Sequence, residues 1–91
     1  MTVRGRVQGV GFRYFVLREA MDLAVTGWVA NGPDGSLRCV AEGPRPQLEA
    51  LLHLVEAGPP SARIDRVDAS WGAATGGFSL FEIRSAGHSG D

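Results

Sequence analysis

The sequence feature that most constrains the fold is the stretch GRVQGVGFR at residues 5–13, because the spacing of apolar residues changes within it. Before Gln8, apolar and polar residues alternate, which is typical of a β-strand with one buried face. From Phe12 onward, apolar residues recur at helical spacing. Only a short turn containing Gly9 and Gly11 separates the two patterns. The sequence therefore predicts a strand, a tight turn and a helix in direct succession.

This turn has the properties of an anion-binding site. The first backbone N–H groups of a helix have no intrahelical acceptor, and the helix dipole adds partial positive charge at the same end. Glycine permits unusual backbone angles and leaves no side chain to block a ligand. We therefore expect the backbone amides of the turn to form a cradle for an anion. The residues expected to contribute are Gln8, Gly9, Val10, Gly11 and Phe12.

Arg13 lies in the first turn of the predicted helix, where the dipole disfavours a cation. An anion bound between the amides and the guanidinium would account for it, since the planar Arg fork matches a phosphate bidentately. From these residues alone, two interpretations of the turn are about equally favoured: it binds a phosphate or carboxylate, or it is an ordinary glycine-rich turn. Standard phosphate motifs do not match, because GxGxxG would need glycine at Tyr14 and a Walker A loop needs a lysine, which this chain lacks.

Length and composition restrict the class of protein. A chain of 91 residues is expected to form one small domain, which we place at residues 1–84, followed by a disordered tail at 85–91. A net charge of −1 argues against a general nucleic-acid binder. No apolar run approaches the ~20 residues of a membrane span, and no signal-peptide pattern is present. With a single cysteine, Cys39, the chain is predicted to be cytoplasmic.

The remaining patterns predict the other helices and strands. Their positions are a first helix at 12–22, a hairpin of strands at 24–30 and 37–42, a second helix with the apolar stripe Leu48, Leu51, Leu52 and Val55, and strands at 64–71 and 78–84. Val67, Ala69 and Trp71 are expected on one face of their strand. Right-handed crossovers place both helices on one face of an antiparallel sheet. The predicted fold is a ferredoxin-like α+β sandwich of order βαββαβ with a short final strand.

Two segments of the chain resemble the signature sequences of one family. GRVQGVGFR at residues 5–13 and GWVANGPDG at residues 27–35 resemble the two signature segments of acylphosphatases, and the resemblance extends over residues 3–84. It implies an enzyme that hydrolyses the carboxyl–phosphate bond of small acyl phosphates to a carboxylate and inorganic phosphate, without a metal or cofactor. It also implies that Arg13 binds the phosphoryl group together with the loop amides, and that Asn31 orients the attacking water.

Other interpretations stay open on the residues alone. Taken by itself, Asn31 at a strand end is more typical of a turn residue. The main alternative function is a non-catalytic anion-binding or regulatory module of the same fold. Such domains also occur at the start of large hydrogenase-maturation proteins, but no zinc-finger cysteines follow here. An RNA-binding ferredoxin-like domain is disfavoured by the charge and by a first strand without aromatic residues. We expect a monomer.

The sequence departs from the family pattern at two places. Family members carry several more residues before the first strand than this chain does, which leaves open a start upstream of Met1. Ala30 stands where an arginine is common beside the asparagine. We expect this second difference to weaken the electrostatic attraction of substrate without removing the chemistry.

Overall fold

The computed structural model describes residues 1–84, and the tail predicted to be disordered at 85–91 lies outside the described residues. The described part of the chain contains seven elements. They are β1 (Thr2–Arg6), α1 (Phe12–Asp22), β2 (Thr26–Asn31), β3 (Leu37–Glu42), α2 (Arg45–Ala57), β4 (Arg63–Asp68) and β5 (Phe81–Ile83). This is the predicted βαββαβ order with a short final strand.

The strands form one sheet in the order β4-β1-β3-β2-β5. Neighbours among the first four strands pair antiparallel, but β5 pairs parallel with β2. The ferredoxin-like fold is confirmed, whereas the expectation of a wholly antiparallel sheet is wrong at one edge. The physical reason is the route of the chain after β4, because the connection crosses one end of the sheet and β5 starts from that same end. Strand β5 is therefore antiparallel to β4 and parallel to β2.

The hydrophobic core lies between one face of the sheet and the two helices. In α1 every fourth residue is buried, as expected when a helix turns one face to a sheet. Cys39 is a small buried apolar residue of this core, as predicted, and burial raises the pKa of its thiol to about 11. The apolar side chains larger than alanine that are almost fully buried are Val3, Val7, Phe12, Val16, Val29, Leu37, Cys39, Leu51 and Val55.

The last two strands are shorter than the sequence predicts. The pairing of β4 with β1 ends where Asp68 lies opposite Thr2, so the residues after Asp68 have no strand beside them. Ala69 and Trp71 therefore lie beyond the strand rather than on its face, which corrects the prediction for both. Trp71 is exposed, and the Arg45 guanidinium lies 3.8 Å from the centre of its ring. Strand β5 contains three residues rather than seven.

The long connection between β4 and β5 is tied to the sheet by one carboxylate. Glu42, the last residue of β3, accepts hydrogen bonds from the backbone N–H of Thr75 at 2.8 Å, the Thr75 hydroxyl at 2.8 Å and the backbone N–H of Gly76 at 3.0 Å. These donors hold the pKa of Glu42 below its usual range, the N–H of Thr75 contributing most. The loop predicted at 72–77 is therefore held at its middle.

Gly5→Ala is expected to destabilise the fold by about 2–4 kcal/mol. Gly5 has a φ of 136°, and an added Cβ would lie 2.1 Å from the carbonyl oxygen of Arg63 on the neighbouring strand. Urea denaturation measures the loss. Gly72→Ala is the matched control, because an added Cβ there meets no atom within 4 Å, and we expect a change below about 0.5 kcal/mol. Equal denaturation midpoints for the two variants would contradict this account.

Candidate active site

The predicted anion cradle consists of the turn of residues 8–11, between β1 and α1, and of Phe12, the first residue of α1. Gly9 and Gly11 have φ values of 71° and 78°, in the left-handed region that favours glycine. Helix α1 begins at Phe12, and within the described residues no side chain caps its N-terminus. The N-terminal amides of α1 are therefore left to bind another acceptor, which is the condition for an anion site.

The side chain of Gln8 fastens this turn to the β2–β3 hairpin. Its Nε2 donates hydrogen bonds to the carbonyl oxygen of Gly32 at 2.8 Å and to that of Ser36 at 3.0 Å. Gly32 directly follows Asn31, so one side chain brings the two signature segments of the sequence together. Sequence reasoning gave Gln8 only a backbone role and missed this contact, which spans 24 positions of the chain in one case and 28 in the other.

Asn31 is the last residue of β2 and lies opposite Leu37 in the β2–β3 register. It shares a strand face with Val29, which is fully buried beneath the helices. Its Oδ1 atom is buried and has no hydrogen-bond partner among the described residues. Leaving a buried acceptor without a donor costs about 1–3 kcal/mol, so such an atom requires an explanation. A bound water or substrate group that donates to Oδ1 supplies one.

Arg13 is the second residue of α1 and is half-buried. It follows Phe12, whose ring lies in the core and meets the Phe15 ring edge-on at 5.8 Å between centroids. The buried ring fixes the start of the helix, so Arg13 is held in the first turn as the sequence predicts. The predicted site residues other than Asn31 thus lie in the turn of residues 8–11 and at the first two positions of α1, whereas Asn31 lies at the end of β2.

The hairpin turn itself is held by Asp34. Its Oδ1 accepts hydrogen bonds from the backbone N–H of Ser36 at 3.2 Å and from the Ser36 hydroxyl at 2.5 Å. Its Oδ2 accepts from Arg4 at 3.2 Å and from Arg38 at 3.4 Å. The Ser36 hydroxyl, followed by the Ser36 N–H, holds the pKa of Asp34 well below its usual range. Asp34 is therefore a turn-forming residue, as the sequence predicts.

The sequence did not identify two serines that contact the turn of residues 8–11. Ser36 is almost completely buried, and its carbonyl accepts from both Gln8 and the backbone N–H of Gly32. Ser61, in the connection between α2 and β4, donates from Oγ to the carbonyl oxygen of Val10 at 2.8 Å. Ser61 lies 51 positions from Val10, and a single serine in a proline-rich stretch carries no motif that could have identified it.

The polar groups of the candidate site are backbone amides, one guanidinium and one carboxamide. Across residues 1–84, no group of three or more His, Cys, Asp or Glu side chains is arranged to hold a metal ion. Neither helix in this range is long and apolar enough to cross a membrane. The structure is thus an α+β domain with a glycine-containing turn that is a candidate anion site.

Comparison with known proteins gives the family. The acylphosphatase family model matches residues 1–83. Acylphosphatase from Salinibacter ruber is 51% identical over 82 residues, which cover 90% of this chain and 86% of that one. Acylphosphatase from Thermus thermophilus is 44% identical over 81 residues, covering 87% and 92%. The chain belongs to the acylphosphatase family.

Solved structures agree with this assignment. The crystal structure of acylphosphatase from Bacillus subtilis superimposes with a TM-score of 0.88 at 38% identity, over 91% of this chain and 92% of that one. Full-length HypF in its phosphate- and nucleotide-bound form gives a TM-score of 0.82 at 31% identity, over 92% of this chain but 11% of HypF. The predictions of an acylphosphatase-family enzyme, a hydrolase, and of its fold are confirmed.

Asp34→Asn is expected to lower the free energy of unfolding at neutral pH. The pKa of Asp34 is lower in the folded than in the unfolded state. Its carboxylate therefore stabilises the fold fully above the ordinary pKa of 3.8, and this stabilisation is lost as the pH falls through the folded-state pKa. The difference in stability between wild type and variant should stay constant down to about pH 4 and shrink below it. Urea titrations across this range measure the difference. A stability difference that begins to shrink well above pH 3.8 would contradict the lowered pKa of Asp34.

Proposed function

We propose that this chain hydrolyses the carboxyl–phosphate bond of small acyl phosphates, with the phosphoryl group bound at the turn of residues 8–11 and the start of α1. The observation that carries the proposal is the Gln8 contact, which joins an uncapped helix N-terminus to the strand end bearing Asn31. Membership of the acylphosphatase family supports the same reaction. A cradle of donors beside an acceptor without a partner is suited to bind an anion and a water together.

The phosphoryl group is bound by the backbone amides of Gln8, Gly9, Val10, Gly11 and Phe12 together with the Arg13 guanidinium. Phosphoryl transfer passes through a loose transition state with charge on the three equatorial oxygens, so catalysis consists mainly of positioning and charge stabilisation. Preorganised N–H donors and a bidentate guanidinium provide both. An acyl phosphate has a good carboxylate leaving group, and the proposed reaction therefore proceeds without a metal or cofactor.

Asn31 orients the attacking water. Its buried Oδ1 accepts a hydrogen bond from the water, which fixes the oxygen in line with the bond that breaks. The water oxygen forms a new bond to phosphorus, and the carboxylate leaves with the electron pair of the broken bond. A carboxamide cannot act as a general base, so a phosphoryl oxygen of the substrate takes the proton.

We further propose that the enzyme acts as a cytoplasmic monomer without a nucleic-acid partner. A free buried thiol at Cys39 fits a reducing compartment, and a single chain supplies the whole proposed site. Most arginines of the sheet region are paired with acids, which leaves little basic surface for a phosphate backbone. The pairs are Arg4 and Arg38 with Asp34, Arg63 with Asp65, Arg66 with Asp68, and Arg84 with Glu82.

Arg13→Lys is expected to lower both turnover and inorganic-phosphate affinity by on the order of 10² or more, because lysine keeps the charge but loses the bidentate fork. Release of phosphate from benzoyl phosphate, with a chelator present, measures turnover, and product inhibition measures affinity. Arg18→Lys, an exposed position on the same helix, is the matched control and should behave as wild type. If phosphate binds to wild type but no turnover exceeds the spontaneous rate, the chain is a non-catalytic anion-binding module.

Asn31→Ala is expected to cut turnover by on the order of 10², by comparison with the loss of one positioning group, and to leave inorganic-phosphate binding nearly unchanged. The reason is that Asn31 contacts the water and not the phosphoryl group. The same assay, with Arg13→Ala in parallel, measures both quantities. Equal weakening of phosphate binding by the two substitutions would show that this division of roles is wrong.

A further inference from the structure

Residues 8–11 are held from two opposite sides. On one side Gln8 bonds to the hairpin, and on the other Ser61 donates to the carbonyl oxygen of Val10 at 2.8 Å. The segment that carries Ser61 is itself a turn, closed by a hydrogen bond from the backbone N–H of Ala62 to the carbonyl of Pro59 at 3.0 Å. At Gly9 and Gly11 an added Cβ would meet nothing within 4 Å. Packing over these two glycines therefore does not fix the shape of the turn.

The contact with Ser61 determines the direction of one N–H group. The carbonyl of Val10 and the N–H of Gly11 belong to the same planar peptide unit, which is trans, so the two groups point in opposite directions. A hydrogen bond that holds the Val10 carbonyl towards Ser61 therefore holds the Gly11 N–H away from Ser61. The side chain of Val10 packs against the core, which fixes its Cα but not the torsion that orients its carbonyl.

The Val10–Gly11 peptide unit is one that could otherwise rotate. Gly11 has a φ of 78° and a ψ of 14°. Glycine populates this left-handed region about as readily as its mirror image at negative φ. Rotation of the unit would turn the Gly11 N–H out of the cradle and bring a carbonyl oxygen towards the anion. A carbonyl dipole facing a phosphoryl oxygen is repulsive, so the orientation of this unit affects the whole cradle.

We propose that Ser61 is a positioning residue of the active site, which aims the Gly11 N–H at a phosphoryl oxygen by fixing the carbonyl of Val10. The inference rests on the proposed function, since it requires that the amides of the turn bind the phosphoryl group. Ser61 touches neither substrate nor water in this scheme. Its hydroxyl acts only through the peptide unit that it holds.

Ser61→Ala is expected to raise the inhibition constant for inorganic phosphate and the KM for benzoyl phosphate by about tenfold, because small misplacements in a preorganised site have effects of this order or larger. Ser61→Thr keeps the hydroxyl and should restore both constants. Ser70→Ala, which removes an exposed serine in the connection after β4, is the matched control and should match wild type. Urea denaturation confirms that each variant is folded.

A second readout follows the affected N–H group directly. In the ¹H–¹⁵N spectrum of the wild type, the Gly11 amide should shift on titration with inorganic phosphate. In Ser61→Ala this shift should be much reduced, while the Gly9 amide should still respond. A wild-type inhibition constant and an unchanged Gly11 response in folded Ser61→Ala would overturn the inference. Failure of Ser61→Thr to restore the phosphate constants would overturn it as well, because the hydroxyl would then not be the cause.

Arg13→Ala, measured alongside, separates this inference from the proposed function. If Arg13→Ala and the amide shifts show that phosphate does not bind at the turn, the proposed site is wrong and the role of Ser61 is wrong with it. If Arg13→Ala abolishes binding while Ser61→Ala leaves it intact, the site stands and only the role of Ser61 is wrong. Both proposals are supported if Arg13→Ala abolishes phosphate binding, Ser61→Ala weakens it about tenfold and Ser61→Thr restores it.

Discussion

The hydrogen bonds from the Gln8 side chain to the carbonyls of Gly32 and Ser36 are the contacts on which the site depends. One end of the turn is continuous with α1, whose start is fixed by the buried ring of Phe12. Without the Gln8 contact, only β1 and the Ser61 hydrogen bond to the Val10 carbonyl would hold the rest of the turn. Because the hairpin also carries Asn31, this single amide group fixes the cradle relative to the residue proposed to hold the water. The proposed chemistry would therefore depend on a contact between the β1–α1 turn and the β2–β3 hairpin.

The acidic groups with lowered pKa values contribute to structure rather than to the proposed reaction. Perturbed carboxylates often mark catalytic sites, but Asp34 is perturbed because it closes a hairpin turn, and Glu42 because it holds a loop. The proposed site uses backbone amides, a guanidinium and a carboxamide rather than a carboxylate. Such a site is preorganised by the folding of the backbone around it. Gln8 and Ser36, which hold the backbone of the two connections, therefore support the groups proposed to face the substrate.

Much of the fold followed from short-range patterns, and the errors arose where long-range pairing decided the outcome. Helix α1 occupies the predicted residues because its apolar spacing and the preceding glycines are local signals. Strand β4 ends at Asp68, before the predicted Trp71, because its only neighbour in the sheet, β1, extends no further along it. The parallel direction of β5 could likewise not be predicted from the local sequence. It depends on the end of the sheet from which the chain returns, and no residue within the strand encodes that.

By itself the sequence determined the element order, the ferredoxin-like class, the family resemblance and the residues proposed to bind phosphate and water. These could be determined because glycine at a strand-to-helix turn, arginine in the first helical turn and an Asn-Gly hairpin signal are local or motif-level features. Only the tertiary structure decided that Gln8 joins the two motifs, that the Oδ1 of Asn31 is buried without a donor, and that Ser61 holds the Val10 carbonyl. Each of these depends on groups 24 or more positions apart or on burial by other elements, and folding alone brings them together.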